Sequence, residues 1–222
     1  MAEITPDGAV GLSRDQEEEA FYHEAALNAS WTGVRLLIGV VTSGLGAFVF
    51  AFFYLRSVNN YGLWYPAGFR GPEGWEGALI MALIVVSAAA QSLGVQQLKA
   101  GKKSAWLGSA IIALALGVAA MGIQVGQLAT LSFLPGANAF ASVFVGTSAV
   151  FVILLLATMI WLEILVMTAR RVPEMSFVEQ PPTFVEAAEV QRFQASLSAF
   201  TLFWNFVAVA AVVLWVLFYL VH

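Results

Sequence analysis

Two charged side chains, Arg35 and Glu163, stand inside the long apolar stretches of this 222-residue chain, and they are the first places to look for chemistry. A carboxylate in hydrocarbon is costly and functional by default: Glu163 could deliver a proton or pair with a cation. Arg35, about one turn inside its stretch, can snorkel to the lipid headgroups or hold a lipid phosphate. Both lie near the ends of their stretches, so snorkelling is the simpler reading of each. A salt bridge between them is the alternative.

Little else in the stretches can act. There is no cysteine, so disulfides and thiolate-held zinc or iron–sulfur centres are excluded. The two histidines, His23 and His222, lie outside the stretches, so no haem or copper is expected on this chain at membrane depth. Gln91, Gln96, Gln97, Gln124 and Gln127 are expected to find hydrogen bonds between helices, or water where they lie near ends. No nucleophile–base pair and no deep carboxylate dyad emerges.

The elements that position these residues are five apolar runs, at about 31–55, 77–98, 104–127, 140–167 and 200–221. Each exceeds the ~20 residues a helix needs to cross a bilayer. The runs are continuous rather than alternating, so helices rather than barrel strands are expected. Hydrophobic residues make up 60% of the chain and the mean hydropathy is +0.82. Soluble chains average about 45–50% apolar. The expected fold is therefore an all-α membrane bundle of five transmembrane helices over 31–222, preceded by a polar tail, 1–30.

That tail carries Asp15, Glu17, Glu18, Glu19 and Glu24 where a cleavable signal would be basic and then apolar, so it is expected to remain. Its segment 16–27 has good helix formers, with Ser13 as a cap. The net charge of −4 gives no nucleic-acid signature. With the N-terminus cytoplasmic and the C-terminus outside, the cytoplasmic side holds Arg14, Arg35, Lys99, Lys102, Lys103, Arg170, Arg171 and Arg192, against Arg56 and Arg70 outside. That asymmetry is the positive-inside pattern.

The first outer loop, 56–76, holds Tyr61, Trp64, Tyr65, Pro66, Phe69, Pro72 and Trp75, read as an interfacial aromatic belt, with a partner-docking surface as the alternative. The short 99–103 connection predicts an antiparallel hairpin of the second and third helices. Pro135-Gly136 marks a turn in the third loop. The fourth loop carries Pro173, Pro181 and Pro182, then a helical lead-in over 185–198. Gly39, Ser43, Ala47 and Ala51 form a small-residue stripe on the first helix, expected to pack within the bundle, with a partner subunit as the alternative. No internal repeat of the transporter kind is evident.

The end of the chain carries a resemblance. Phe203-Trp204-Asn205-Phe206-Val207-Ala208, followed by an apolar helix through Trp215 to Tyr219, resembles the last helix of subunit III of haem–copper terminal oxidases. Phe50-Ala51-Phe52-Phe53-Tyr54 is similar to the close of that family's first shared helix. Trp64-Tyr65-Pro66, the small-residue hairpin and the segment 122–148 follow in order. The resemblance covers about 30–222 and matches the five-helix bacterial form, which lacks the first two helices of the seven-helix version. Thr42 stands where the family has an intramembrane glutamate. Ser148 and Phe151 stand in place of paired histidines, and Asn205 and Ala208 in place of the terminal His and Asp.

The resemblance implies a non-catalytic subunit of a respiratory oxidase that reduces O2 and pumps protons. Such a subunit packs on subunit I, beside subunit II, in the bacterial cell membrane, with a respiratory supercomplex as a further partner. Haem and copper would lie in the partner subunits. Phospholipid would be held in a cleft between the first two helices and the remaining bundle, with Trp31 and Arg35 as headgroup contacts. The alternatives are an accessory subunit of a nitric oxide reductase and a small transporter or channel; the latter needs a polar pathway that glutamines and serines supply only thinly.

Overall fold

The structure, a computed structural model, describes residues 3–4, 10–11, 14–59, 61–172 and 184–221. Ser13, His222 and the prolines 173, 181 and 182 lie outside the described residues. A short antiparallel pairing, Glu3–Ile4 with Val10–Gly11, precedes five long helices. They are α1 (Arg14–Val58), α2 (Gly74–Lys99), α3 (Lys103–Ala129), α4 (Ala139–Arg171) and α5 (Phe184–Trp215), and α5 closes with a π-helical turn, Val216–Leu220. All five helices are long and apolar enough to span a membrane. In hydrocarbon each backbone must satisfy its own hydrogen bonds, so the apolar runs emerge as unbroken helices. The acidic segment before the first span and the lead-in before the last are continuous with their helices.

Local chemistry sets the turns. Gly101, at φ 78°, reverses the chain between α2 and α3, and Gly136, at φ 89°, does so before α4. Asn138 caps α4, its side-chain oxygen accepting from the Ala141 N–H at 2.7 Å. At the opposite end of α4 the Lys103 ammonium, at the start of α3, donates to the Val172 carbonyl. The loop and helix ends rich in basic residues therefore meet at one end of the bundle.

In lipid, helices associate through close packing and hydrogen bonds rather than hydrophobic burial. α2 and α3 form the expected hairpin, drawn together where a Cβ on Gly94 would lie 2.7 Å from that of Ser109. α2 also packs on α5, α3 on α4, and α1 on α5 and α4. α1 packs on α5 and α4 rather than on α2.

The end of the bundle opposite the basic connection is closed by aromatic rings. Phe52 of α1 meets Trp64 at 5.0 Å and Phe218 at 5.6 Å, and Trp64 meets Phe140 of α4 at 5.6 Å, all edge to face. Tyr65 and Phe69 also meet Phe140 edge to face. The loop 56–76 is thus divided: Trp64 is buried in the bundle, whereas Tyr61 and Trp75 are exposed as an interfacial belt requires. Of the small-residue stripe of α1 only Ala51 packs against the core as expected. Gly39 has nothing within 4 Å of an added Cβ, and Ser43 and Ala47 are exposed. The side chains that hold α1, Val34, Leu45 and Phe52, lie on another face.

Candidate functional site

Trp31 and Arg35 are four residues apart on α1, which places them on one helical face. The Arg35 guanidinium carbon sits 5.8 Å from the centre of the Trp31 ring. Both side chains are exposed, while Val34 between them turns into the bundle. The span of α1 begins at Asn28, so the pair lies within its first two turns. The ring contact leaves the guanidinium exposed, and its forked N–H donors are the chemistry that receives a phosphate oxygen.

Glu163 is not part of this pair. It is exposed on α4 and, among the described residues, makes no ion pair with Arg35. Instead it lines a shallow groove of about 300 Å³ with Met167, Thr168 and Arg171. A neighbouring groove of about 420 Å³ brings Arg171 of α4 beside Glu189, Arg192 and Ser196 of α5, above an apolar wall of Trp161 and Ile164. Sequence reasoning did not join Arg171 to Arg192, because the long fourth loop separates them. Their positions at the ends of consecutive spans, on the same side, were the available signal.

The polar side chains inside the bundle form ties between helices. The Trp204 indole N–H of α5 donates to the Ser87 hydroxyl of α2 at 3.1 Å, and Ser87 donates to the Ala113 carbonyl of α3 at 2.7 Å. Ser92 of α2 donates to the Asn205 side-chain oxygen at 3.2 Å. Toward the aromatic end the Tyr219 hydroxyl donates to the Gln127 side-chain oxygen at 3.2 Å, which also accepts from Gln124 at 3.3 Å. The glutamines thus divide. Gln124 and Gln127 join α3 to the π turn, Gln96 and Gln97 are exposed, and Gln91 is fully buried with neither end of its amide hydrogen-bonded.

Of the positions singled out by the oxidase resemblance, Thr42 faces outward, Phe151 and Ala208 are buried in the core, and Ser148 is buried beside α5. Among the described residues no three His, Cys, Asp or Glu side chains gather as a metal site would require. What the arrangement can do is hold helices in register and present an exposed cation beside a tryptophan ring near the start of the first span. No protein-family model matches the chain, and no curated protein sequence matches it significantly.

Proposed function

We propose that this chain is a non-catalytic, subunit III-type component of a respiratory haem–copper oxidase in a bacterial cell membrane. The observation that carries this reading is the contrast between its first and last helices. Half of the most apolar window of α5, the helix with the oxidase-like run, is buried, against 11% for α1. Within that run Phe203, Trp204, Val207 and Ala208 form core and Asn205 bonds to α2, so the recognisable residues are the ones that organise the bundle. α1, by contrast, offers a larger membrane partner a nearly bare helix, with Gly39, Ser43 and Ala47 allowing close approach.

In this role subunit I supplies the covering surface, and haem and copper belong to subunits I and II. The basic end, where Lys103 meets the close of α4, faces the cytoplasm, in keeping with the Lys and Arg asymmetry. Trp31 and Arg35 hold a phospholipid headgroup at that boundary. Glu163, exposed and shallow, has a surface role rather than one in proton delivery.

Affinity purification in mild detergent tests the proposal. Co-purification with a haem-bearing, multi-helix subunit, seen in the reduced-minus-oxidised spectrum, is the expected result. A stable, haem-free homo-oligomer overturns it and favours the transporter alternative.

A further inference from the structure

A small chamber of about 40 Å³ lies between α2, α3, α4 and the end of α5. Ile80, Phe144, Phe151 and Leu214 give it apolar walls, but its polar lining is unusual for a membrane interior: Gln124, Ser148, Trp215 and Tyr219 all face it. Two of these have unspent hydrogen-bonding groups. The Trp215 indole nitrogen is buried and has no partner. The Ser148 hydroxyl, unlike that of its neighbour Thr147, which donates to the Val143 carbonyl at 2.7 Å, makes no hydrogen bond among the described residues. Gln124 spends an amide N–H on Gln127, which leaves its carbonyl oxygen as an acceptor toward the chamber.

A dry apolar cavity of this size is stable, whereas one lined by several unsatisfied polar groups is not. A water needs roughly 10–15 Å³ of such volume and two to four polar partners. Leaving an indole N–H unmade in hydrocarbon costs free energy that a single water recovers. The chamber has room for about three waters on that measure, and an N–H donor, a hydroxyl and a carbonyl acceptor to hold them.

We propose that this chamber is an internal water site, in which bound water bridges the Trp215 indole N–H of α5 to the Ser148 hydroxyl of α4 and the Gln124 carbonyl of α3. Around the chamber no direct hydrogen bond joins α4 to α5 among the described residues, so the water supplies the polar link that these two helices otherwise lack there. Tyr219, on the π turn that follows Trp215, lines the chamber and reaches Gln127. The inference stands apart from the oxidase reading and concerns the bundle alone.

The test uses the full chain, labelled with 15N at tryptophan, in lipid nanodiscs. Magnetisation transfer from water to each indole N–H is measured, and the Trp215 resonance is assigned through Trp215→Phe. The expected result is a water cross-peak at Trp215 and none at Trp204, whose N–H is already bonded to Ser87. Ser148→Leu, which fills the chamber, is expected to abolish the Trp215 cross-peak. A Trp215 indole as dry as that of Trp204, or a cross-peak that survives Ser148→Leu in a folded protein, overturns the proposal. If Ser148→Leu does not fold, the contrast between the two wild-type indoles decides the matter.

Discussion

The strongest internal tie is the relay from Trp204 through Ser87 to Ala113, because it joins three helices midway through α2 with both side chains fully buried. Ser87→Ala leaves the packing volume nearly unchanged but removes the acceptor of the indole N–H. The Ala113 carbonyl retains its own helical bond. An orphaned buried donor costs about 1–3 kcal/mol. Measured couplings between transmembrane helices are smaller, averaging about 0.6 and reaching about 1.7 kcal/mol, because a helix separated in the membrane finds other partners. Ser87→Ala is therefore expected to destabilise by about 1 kcal/mol. Trp204→Phe removes the donor together with part of a packed ring. In the double variant the orphan no longer exists, so the two losses should fall short of additivity by about 0.6–1.7 kcal/mol. Reversible unfolding by steric trapping in bicelles measures all four corners of this cycle. Additivity to within about 0.3 kcal/mol would show that the indole and the hydroxyl do not interact, and would remove the main polar link between α2 and α5.

Two glycines predict opposite responses. A Cβ at Gly77 overlaps the Tyr219 ring, so Gly77→Ala should lower the thermal midpoint by an overpacking cost of about 1–3 kcal/mol; an unchanged midpoint would refute the seating of Tyr219 on α2. Gly39→Ala meets nothing within 4 Å and should leave the isolated chain unchanged or stabilise it by up to about 1 kcal/mol, as helix propensity dictates; clear destabilisation would mean the stripe is packed. Arg35→Ala should reduce the phospholipid that co-purifies with the protein. Arg35→Lys should restore it only in part, because an ammonium keeps the charge but loses the forked N–H donors that bind a phosphate bidentately. Equal lipid content in all three proteins would remove the headgroup assignment. Glu163→Gln, at an exposed position, should change stability by less than about 0.5 kcal/mol and leave proton uptake by the assembled complex unaltered; slowed uptake would reinstate the proton role.

The elements were legible in the sequence because a bilayer allows so few alternatives. The run at 140–167, for example, lies inside the helix Ala139–Arg171, and the short connection at 99–103 became the hairpin turn at Gly101. The faces were not legible. Composition placed Trp64 in an interfacial belt, but a bond from its backbone N–H to the Asn59 carbonyl at 2.9 Å and the left-handed Gly62 turn the ring inward onto Phe52 and Phe140. Ser87 and Trp204 are 117 residues apart, and only the packing of α2 on α5 makes them partners. The charged candidates were found by type alone. Which of them meet depended on helix rotation, and that brought Arg35 to Trp31 rather than to Glu163.

The polar ties also rank the helices. α5 is bonded to α2 through Trp204 and Asn205, and its π turn to α3 through Tyr219, while Lys103 fastens the close of α4 to α3. In the span of α1 the hydroxyls of Ser43 and Ser57 turn back to carbonyls of α1 itself. α1 is held by dispersion contacts such as Phe52 in the aromatic cluster and Val34 near the opposite end. Lipid tails can replace much of such contact, because they are as apolar as the side chains they displace. The position of α1 is therefore the part of this fold most dependent on what lies outside the chain. That dependence suits a helix whose outward face, small-residued along Gly39, Ser43 and Ala47 and aromatic at Phe50 and Tyr54, is completed by a neighbouring subunit.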